Sequence, residues 1–336
     1  MPPFQTERGL QSGPIGTTRN MASVRSNILD TIGNTSMIQL HNVVPSNGVR
    51  ILLKIESSNP TGSMKDRMAL AMITAAEKDG RLKPGGAVVE YTGGSTGVSL
   101  ALICSVKKYS LHLVTSDAFA KEKLDHMRLL GAKLTIIPSD NGKQTEKLTK
   151  DMIREAKSIA AKTGAYITAQ MDNTDQLSAY TKLADEIYEQ AEGRIDAFVQ
   201  SVGSGAALRG ISERLRQLDN NIRFVAVEPA ESAVLSGGPS GSHNIDGVGA
   251  GYVVPLWYEG IADGFQGVST ADARAMAFRL SREEGLFCGL STGANVTAAL
   301  RVAEGLKPGS TVVAIMCDSG MKYMSGFSQH LEPLQE

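Results

Sequence analysis

No run of apolar residues in the chain approaches the roughly 20 needed to cross a bilayer, which argues against a membrane-spanning helix. Nor does one sign of charge prevail. The 34 Lys and Arg against 35 Asp and Glu leave a net charge of −1, so no basic field points to nucleic acid or an anionic membrane. Cysteine is scarce: Cys104, Cys288 and Cys317 lie far apart, form no CxxC pair, and each follows or ends an apolar run. That pattern predicts buried, reduced thiols in an intracellular compartment. The five histidines are scattered without HExxH or Cys/His spacing, so no metal site is expected.

Two familiar phosphate devices are missing as well. "NPTGSMKD" carries Lys65 but lacks the second glycine that the GxxxxGK[ST] loop of nucleotide hydrolases places before it. The dinucleotide pattern GxGxxG fails because Gly203 and Gly205 are followed by Leu208, and "GVGAGY" runs into "VVP", a poor helix start. A nicotinamide enzyme is disfavoured.

What is present is an alternation. The 336 residues, 42% hydrophobic and 21% charged, suffice for a large core in two lobes. From residue 50 onward, "RILLKIES", "AVVEY", "LHLVTS", "LTIIPS", "AYITAQ", "AFVQSV", "RFVAVEP" and "TVVAIMC" read as buried strands. Between them lie helix-period segments such as Leu124, Met127 and Leu130, or Leu148, Met152 and Ile159. Strands alternating with helices predict an α/β fold with mainly parallel sheets covered on both faces. Residues 1–26, rich in Gly, Pro, Ser and Thr, read as a flexible tail, with a mitochondrial presequence as the alternative and Met21 as a second candidate start. The long Gly-rich stretch from Leu235 to Gly260 is turn-prone, and His243 inside it reads as a solvated loop histidine.

Open parallel sheets bind ligands beyond the carboxyl ends of their strands. Here several such ends lead through small residues into helices: "TGGSTG" (92–97), "GSGAALRG" (203–210), "STGA" (291–294) and "DSGMKY" (318–323). Each alone is an ordinary tight turn. Together they predict a site where backbone amides approach an anion. Lys65 stands at the join of such a loop and an apolar helix, where most lysines would be solvated. Electropositive amides push a lysine there towards its neutral, nucleophilic form, which condenses with aldehydes to a Schiff base. Pyridoxal phosphate offers both an aldehyde and a phosphate.

Seven stretches, "TIGNTSMIQL", "SSNPTGSMKDR", "TGGSTG", "GSGAALRG", "GVGAGYVVP", "EEGLFCGLSTGA" and "DSGMKY", occur in the order and spacing of the cysteine synthase and cystathionine β-synthase family. The resemblance covers residues 27 to 326. It implies a two-lobed fold-type-II pyridoxal phosphate enzyme, with residues 58–165 as a smaller mobile domain and 27–57 plus 166–330 as the larger one. It also implies a cytoplasmic homodimer acting on a small amino acid and a small nucleophile. Carried over, Lys65 resembles the lysine that holds the cofactor and shuttles the α-proton. Gly203, Ser204, Gly205, Ala206 and Ala207 match the loop around the phosphate, and Ser291 matches the partner of the pyridine nitrogen. Thr92, Gly93, Gly94, Ser95 and Thr96 match the loop that closes on the substrate carboxylate, with Gln170 helping to hold it. Ser95 also stands where the family has a cofactor-contacting residue. No Cys or His precedes His41, so the haem leader of some relatives is not expected, nor is a regulatory module after "KYMSGF".

This sequence departs from the family's usual TSGNTG at Gly93 and Ser95, and from GGT at Ala206 and Ala207. The first two changes predict a roomier corner beside the carboxylate loop and a bulkier substrate or nucleophile. The expected chemistry is β-replacement on a β-substituted L-amino acid, such as O-acetylserine, with sulfide or another nucleophile. The alternatives are β-elimination, of the dehydratase or desulfhydrase type, and a catalytically impaired relative that acts by binding.

Overall fold

The computed structural model describes residues 24–142 and 145–330. The N-terminal tail with its targeting alternative and Met21 therefore lies, but for its last three residues, outside the described residues. The chain opens with the antiparallel pair β1 (Met37–Gln39) and β2 (Arg50–Ile55), then enters α1 (Lys65–Asp79). There follow β3 (Ala87–Tyr91), α2 (Ser95–Lys107), β4 (Ser110–Ser116), α3 (Lys121–Leu129), β5 (Lys133–Ile137), α4 (Glu146–Thr163) and β6 (Tyr166–Ile167). The remainder is α5 (Leu177–Gln190), β7 (Ala197–Ser201), α6 (Ala206–Leu218), β8 (Arg223–Pro229), β9 (Gly264–Val268), α7 (Thr270–Glu284), α8 (Leu290–Glu304), β10 (Thr311–Met316) and the short α9 (Met324–Ser328).

These strands form two sheets. The smaller is parallel throughout, in the order β5-β4-β3-β6, and the larger runs β1-β2-β10-β7-β8-β9, parallel except at β1. Tyr166 and Ile167 pair with Val88 and Val89, so the smaller sheet extends two residues past the boundary at 165. Side chains alternate across each sheet: on β10, Val313 and Ile315 enter one core of the larger sheet, Val312 and Ala314 the other. Every residue of β7 and β10 is buried, Gln200, Ser201 and Thr311 included, which is why both strands are mainly apolar without alternation.

All eight expected strands are present, although "AYITAQ" supplies only the two residues of β6. Sequence patterning missed β1, three partly exposed residues, and β9, whose Gly264 and Gly267 weaken its strand signal. No helix among the described residues is long and apolar enough to cross a membrane. All three cysteines are buried and free.

Candidate active site

The site lies where the carboxyl ends of the two sheets face each other. The residues ahead of α1 are pinned to the segment after β10: Ser63 and Asp318 form an antiparallel bridge, Met64 N–H donates to Cys317 C=O at 2.9 Å, and Ser319 N–H donates to Gly62 C=O at 2.9 Å. Lys65 is the first residue of α1, and its own N–H reaches Ser63 Oγ at 3.2 Å. Burial pushes the Lys65 ammonium below the ordinary lysine range, while the Cys317 thiol and the Asp318 carboxylate pull it back up. The direction expected from the sequence holds, and desolvation is its main cause.

The start of α1 is locked by buried charges. Arg67, two residues after Lys65, donates from Nε and Nη2 to Glu56 at 2.6 and 2.8 Å, and from both terminal nitrogens to Glu186 at 2.7 Å. Glu186 also takes Lys54 Nζ at 2.8 Å. Burial alone would raise the Glu186 carboxyl, but Arg67 and Lys54 outweigh it and hold it at about 2.

Ser291 is the second residue of α8 and is 5% exposed; the next residue, Thr292, accepts from Cys317 N–H on Oγ1 at 3.1 Å. The chain neighbours of Lys65 and Ser291, Met64 and Thr292, thus both bond the Cys317 backbone. Asn295, one turn further along α8, accepts from Ser201 N–H at 2.7 Å and donates to Ile315 C=O at 2.9 Å, with Cys317 Sγ 3.4 Å away. This brace fixes α8 against the ends of β7 and β10.

The loop from Gly203 to Ala207 leaves β7 at the same end of the sheet, one strand over. A Cβ on Gly203 would sit 2.4 Å from Gly247 C=O, so the Gly-rich stretch closes against it. Gly205 is the N-cap of α6 and makes no side-chain cap, which leaves the first amides of that helix, at Ala206 and Ala207, facing outward. Ser204 supplies the hydroxyl of the loop. His243, expected to be solvated, is half-buried and ties this stretch together: Nε2 lies 3.0 Å from Gly249 C=O, and Nδ1 accepts from Ile245 N–H at 3.3 Å.

Facing these, "TGGSTG" runs from β3 into α2, whose N-cap Gly94 also lacks a side-chain cap. Thr92 Oγ1 accepts from Gly94 N–H at 3.2 Å. Thr96 donates to Gln170 Oε1 at 2.7 Å, joining two predicted residues 74 positions apart. Ser95 reaches across the cleft to Asp318 Oδ2 at 3.3 Å, and the Tyr323 hydroxyl donates to the same oxygen at 2.6 Å. Asp318 Oδ1 is buried without a hydrogen-bond partner. Beneath the loop, Glu90 is fully buried and accepts from Tyr91 and Gln170 N–H groups at 2.9 and 3.0 Å. Burial pushes its carboxyl up to about 7, against the pull of those donors and the Thr168 hydroxyl.

One expectation is overturned. A Cβ on Gly93 would fall 1.9 Å from the ring of Phe119. The space freed by the missing side chain is filled, so the corner is not roomier on that side. Sequence reasoning also missed Glu90, Asn295, Cys317 and Asp318 as parts of the site. The visible signal for Glu90 and Asn295 was a polar residue inside an otherwise apolar strand or helix.

The donor set suits a phosphorylated aldehyde: a desolvated lysine, an uncapped helix start for a phosphate, and a second uncapped start with hydroxyls for a carboxylate. Similarity to known proteins agrees with the geometry. Residues 28–318 match the family model described as pyridoxal-phosphate dependent enzyme. A cysteine synthase of Staphylococcus aureus is 36% identical over 301 residues, spanning 89% of this chain and 95% of its own. Among solved structures, O-ureido-L-serine synthase superposes with a TM-score of 0.87 at 33% identity, covering 93% of this chain and 98% of its own. O-acetylserine sulfhydrylase isoform 3 from Entamoeba histolytica gives 0.86 at 34% identity, covering 96% of both chains. A half-buried lysine, paired helix starts and similarity over most of the chain lead to one assignment: the chain belongs to the pyridoxal-phosphate-dependent enzyme family, as a member of the cysteine synthase type.

Proposed function

We propose that this enzyme carries out β-replacement on an activated L-serine, O-acetylserine or a close relative, with sulfide or another small nucleophile, using pyridoxal phosphate held at Lys65. The observation that carries the reading is the Cys317 backbone bonding the neighbours of both Lys65 and Ser291, with Thr96 and Gln170 joined on the opposite wall. Bound pyridoxal phosphate supplies an electron sink that acidifies the α-hydrogen of an amino acid and lets a β-substituent leave. The amides and hydroxyl of Gly203–Ala207 would hold its phosphate, and the neutral Ser291 hydroxyl its ring nitrogen. Thr92, Thr96, Gln170 and the amides of Gly93 and Ser95 would orient the substrate carboxylate. Lys65 Nζ, favoured in its neutral form by burial, removes the α-proton and later returns it. The comparisons favour replacement over net elimination and over a binding protein without turnover.

A homodimer accords with the resemblance, and a cytoplasmic location with the three buried, unpaired thiols. Residues 58–165, together with β6, form the lobe that closes over the substrate. The purified protein should be yellow, and borohydride should fix the cofactor on the peptide that contains Lys65. Lys65→Ala should abolish both that adduct and turnover. With O-acetylserine and sulfide the expected product is cysteine, formed in step with sulfide consumed. A protein that stays colourless with added pyridoxal phosphate, or that releases oxoacid without a nucleophile, overturns the proposal.

A further inference from the structure

Phe119 belongs to the turn between β4 and α3, a part of the chain with no established role in the site. Its ring lies where a side chain at position 93 would project: Cδ2 and Cγ are each 1.9 Å from a Cβ built on Gly93, far inside any contact real atoms make. Gly93 is buried and Phe119 half-buried, and the ring also packs into the cores on both faces of the smaller sheet. The turn itself is held. Phe119 N–H donates to Ser116 C=O at 3.3 Å, and Asp117 Oδ1 takes Ser139 N–H at 2.7 Å. The ring cannot swing aside without opening two cores.

The same turn leads into the residues that reach the other lobe. Lys123, 3% exposed, donates to Asp246 Oδ2 at 2.7 Å and lies 4.1 Å over the Tyr323 ring. Glu122 accepts from Ser325 N–H at 3.3 Å. Phe119 therefore stands between the carboxylate loop and the contacts that join the lobes.

We propose that Phe119 is a positioning residue for the loop from Thr92 to Gly97. The ring replaces the absent side chain of Gly93, sets the height of the loop's amides, and makes that wall of the cleft apolar and closed. Gly93 and Phe119 are a fitted pair: position 93 takes no side chain while an apolar filler stands at position 119. The inference rests on the assignment of this loop to the substrate carboxylate.

The test is a double-substitution cycle on the holoenzyme, using Gly93→Ser, Phe119→Ala and both together. Three measurements apply: the melting temperature, amide hydrogen exchange of residues 92–97, and KM against kcat for O-acetylserine. Phe119→Ala should speed exchange in the loop and raise KM about tenfold, with kcat changed less than about threefold. Gly93→Ser should lower the melting temperature and raise KM further. The double variant should recover much of what Gly93→Ser loses, because the hydroxymethyl group then enters the space the ring has left. Phe119→Leu, which keeps an apolar filler, should stay near wild type. The proposal fails if Gly93→Ser alone leaves melting and exchange at wild-type values, or if the double variant shows the plain sum of both losses. Should wild type ignore O-acetylserine, the substrate reading fails, and melting and exchange still decide the pairing.

Discussion

At Lys65 the sequence and the structure point the same way for different reasons. A loop running into a helix was enough to single the residue out, but its depressed proton affinity comes chiefly from burial beside Cys317 and Asp318. Those neighbours sit some 250 positions later in the chain and left no local trace around "SMKD". Glu90 makes the same point more sharply: "AVVEY" reads as a buried strand, and the structure buries its one acid along with Val88 and Val89. Its carboxyl is raised from an ordinary 4.5 to about 7, so between those values the folded protein holds a proton that the unfolded chain releases. Stability from this group is therefore full at low pH and falls as pH rises through that window, by at most about 1.4 kcal/mol per pH unit. Glu90→Gln should flatten the decline in melting temperature between pH 5 and pH 8 relative to wild type. An unchanged slope would place the responsible proton elsewhere.

Helix starts are the working parts at the scale of elements. Among α1, α2, α6 and α8, none carries a side-chain cap, although an Ser, Thr, Asp or Asn cap commonly contributes about 1 kcal/mol. At α2, α6 and α8 the forgone stabilisation leaves amides for a ligand, and a glycine at each of these three N-caps is how the sequence announced it; at α1 the first amide is taken by Ser63 Oγ. What patterning could not show is how α1 is held. Nothing in the sequence sets Arg67 apart, yet it is buried between Glu56 and Glu186. Arg67→Ala leaves buried Glu56 without its cation and Glu186 with Lys54 alone, and should cost about 3–5 kcal/mol in urea unfolding. Glu186, held at about 2, contributes stability above its ordinary value near 4.5 that is lost as pH falls towards 2. In the Arg67 variant that acid limb should move to higher pH, and cofactor retention should weaken because Lys65 shares the first turn. A variant with wild-type unfolding would remove the network from the account of the site.

Across the whole molecule, the two parallel sheets were readable from the strand–helix alternation, but the way they meet was not, because interlobe contacts join residues distant in sequence. Lys123 is the clearest case, one cation in a polar helix that proves to be sealed against Asp246 and Tyr323. Lys123→Met keeps the apolar stem and removes the charge. It should speed exchange around residues 117–126 and raise KM about threefold while the cofactor stays bound. Unaltered exchange would mean the lobes are held by other contacts. The sheet order carries a consequence of another kind. β10 comes last of the ten strands among the described residues, yet it lies inside the larger sheet, between β2 and β7, and the Cys317–Asp318 segment follows it directly. During synthesis, Lys65 leaves the ribosome long before the neighbours that desolvate it. Until β10 arrives, the sheet has an open slot at its centre and the lysine remains an ordinary, protonated surface amine. A nascent chain should thus be unable to hold the cofactor at almost any length short of this strand, and acquisition of the yellow colour would report completion of the fold.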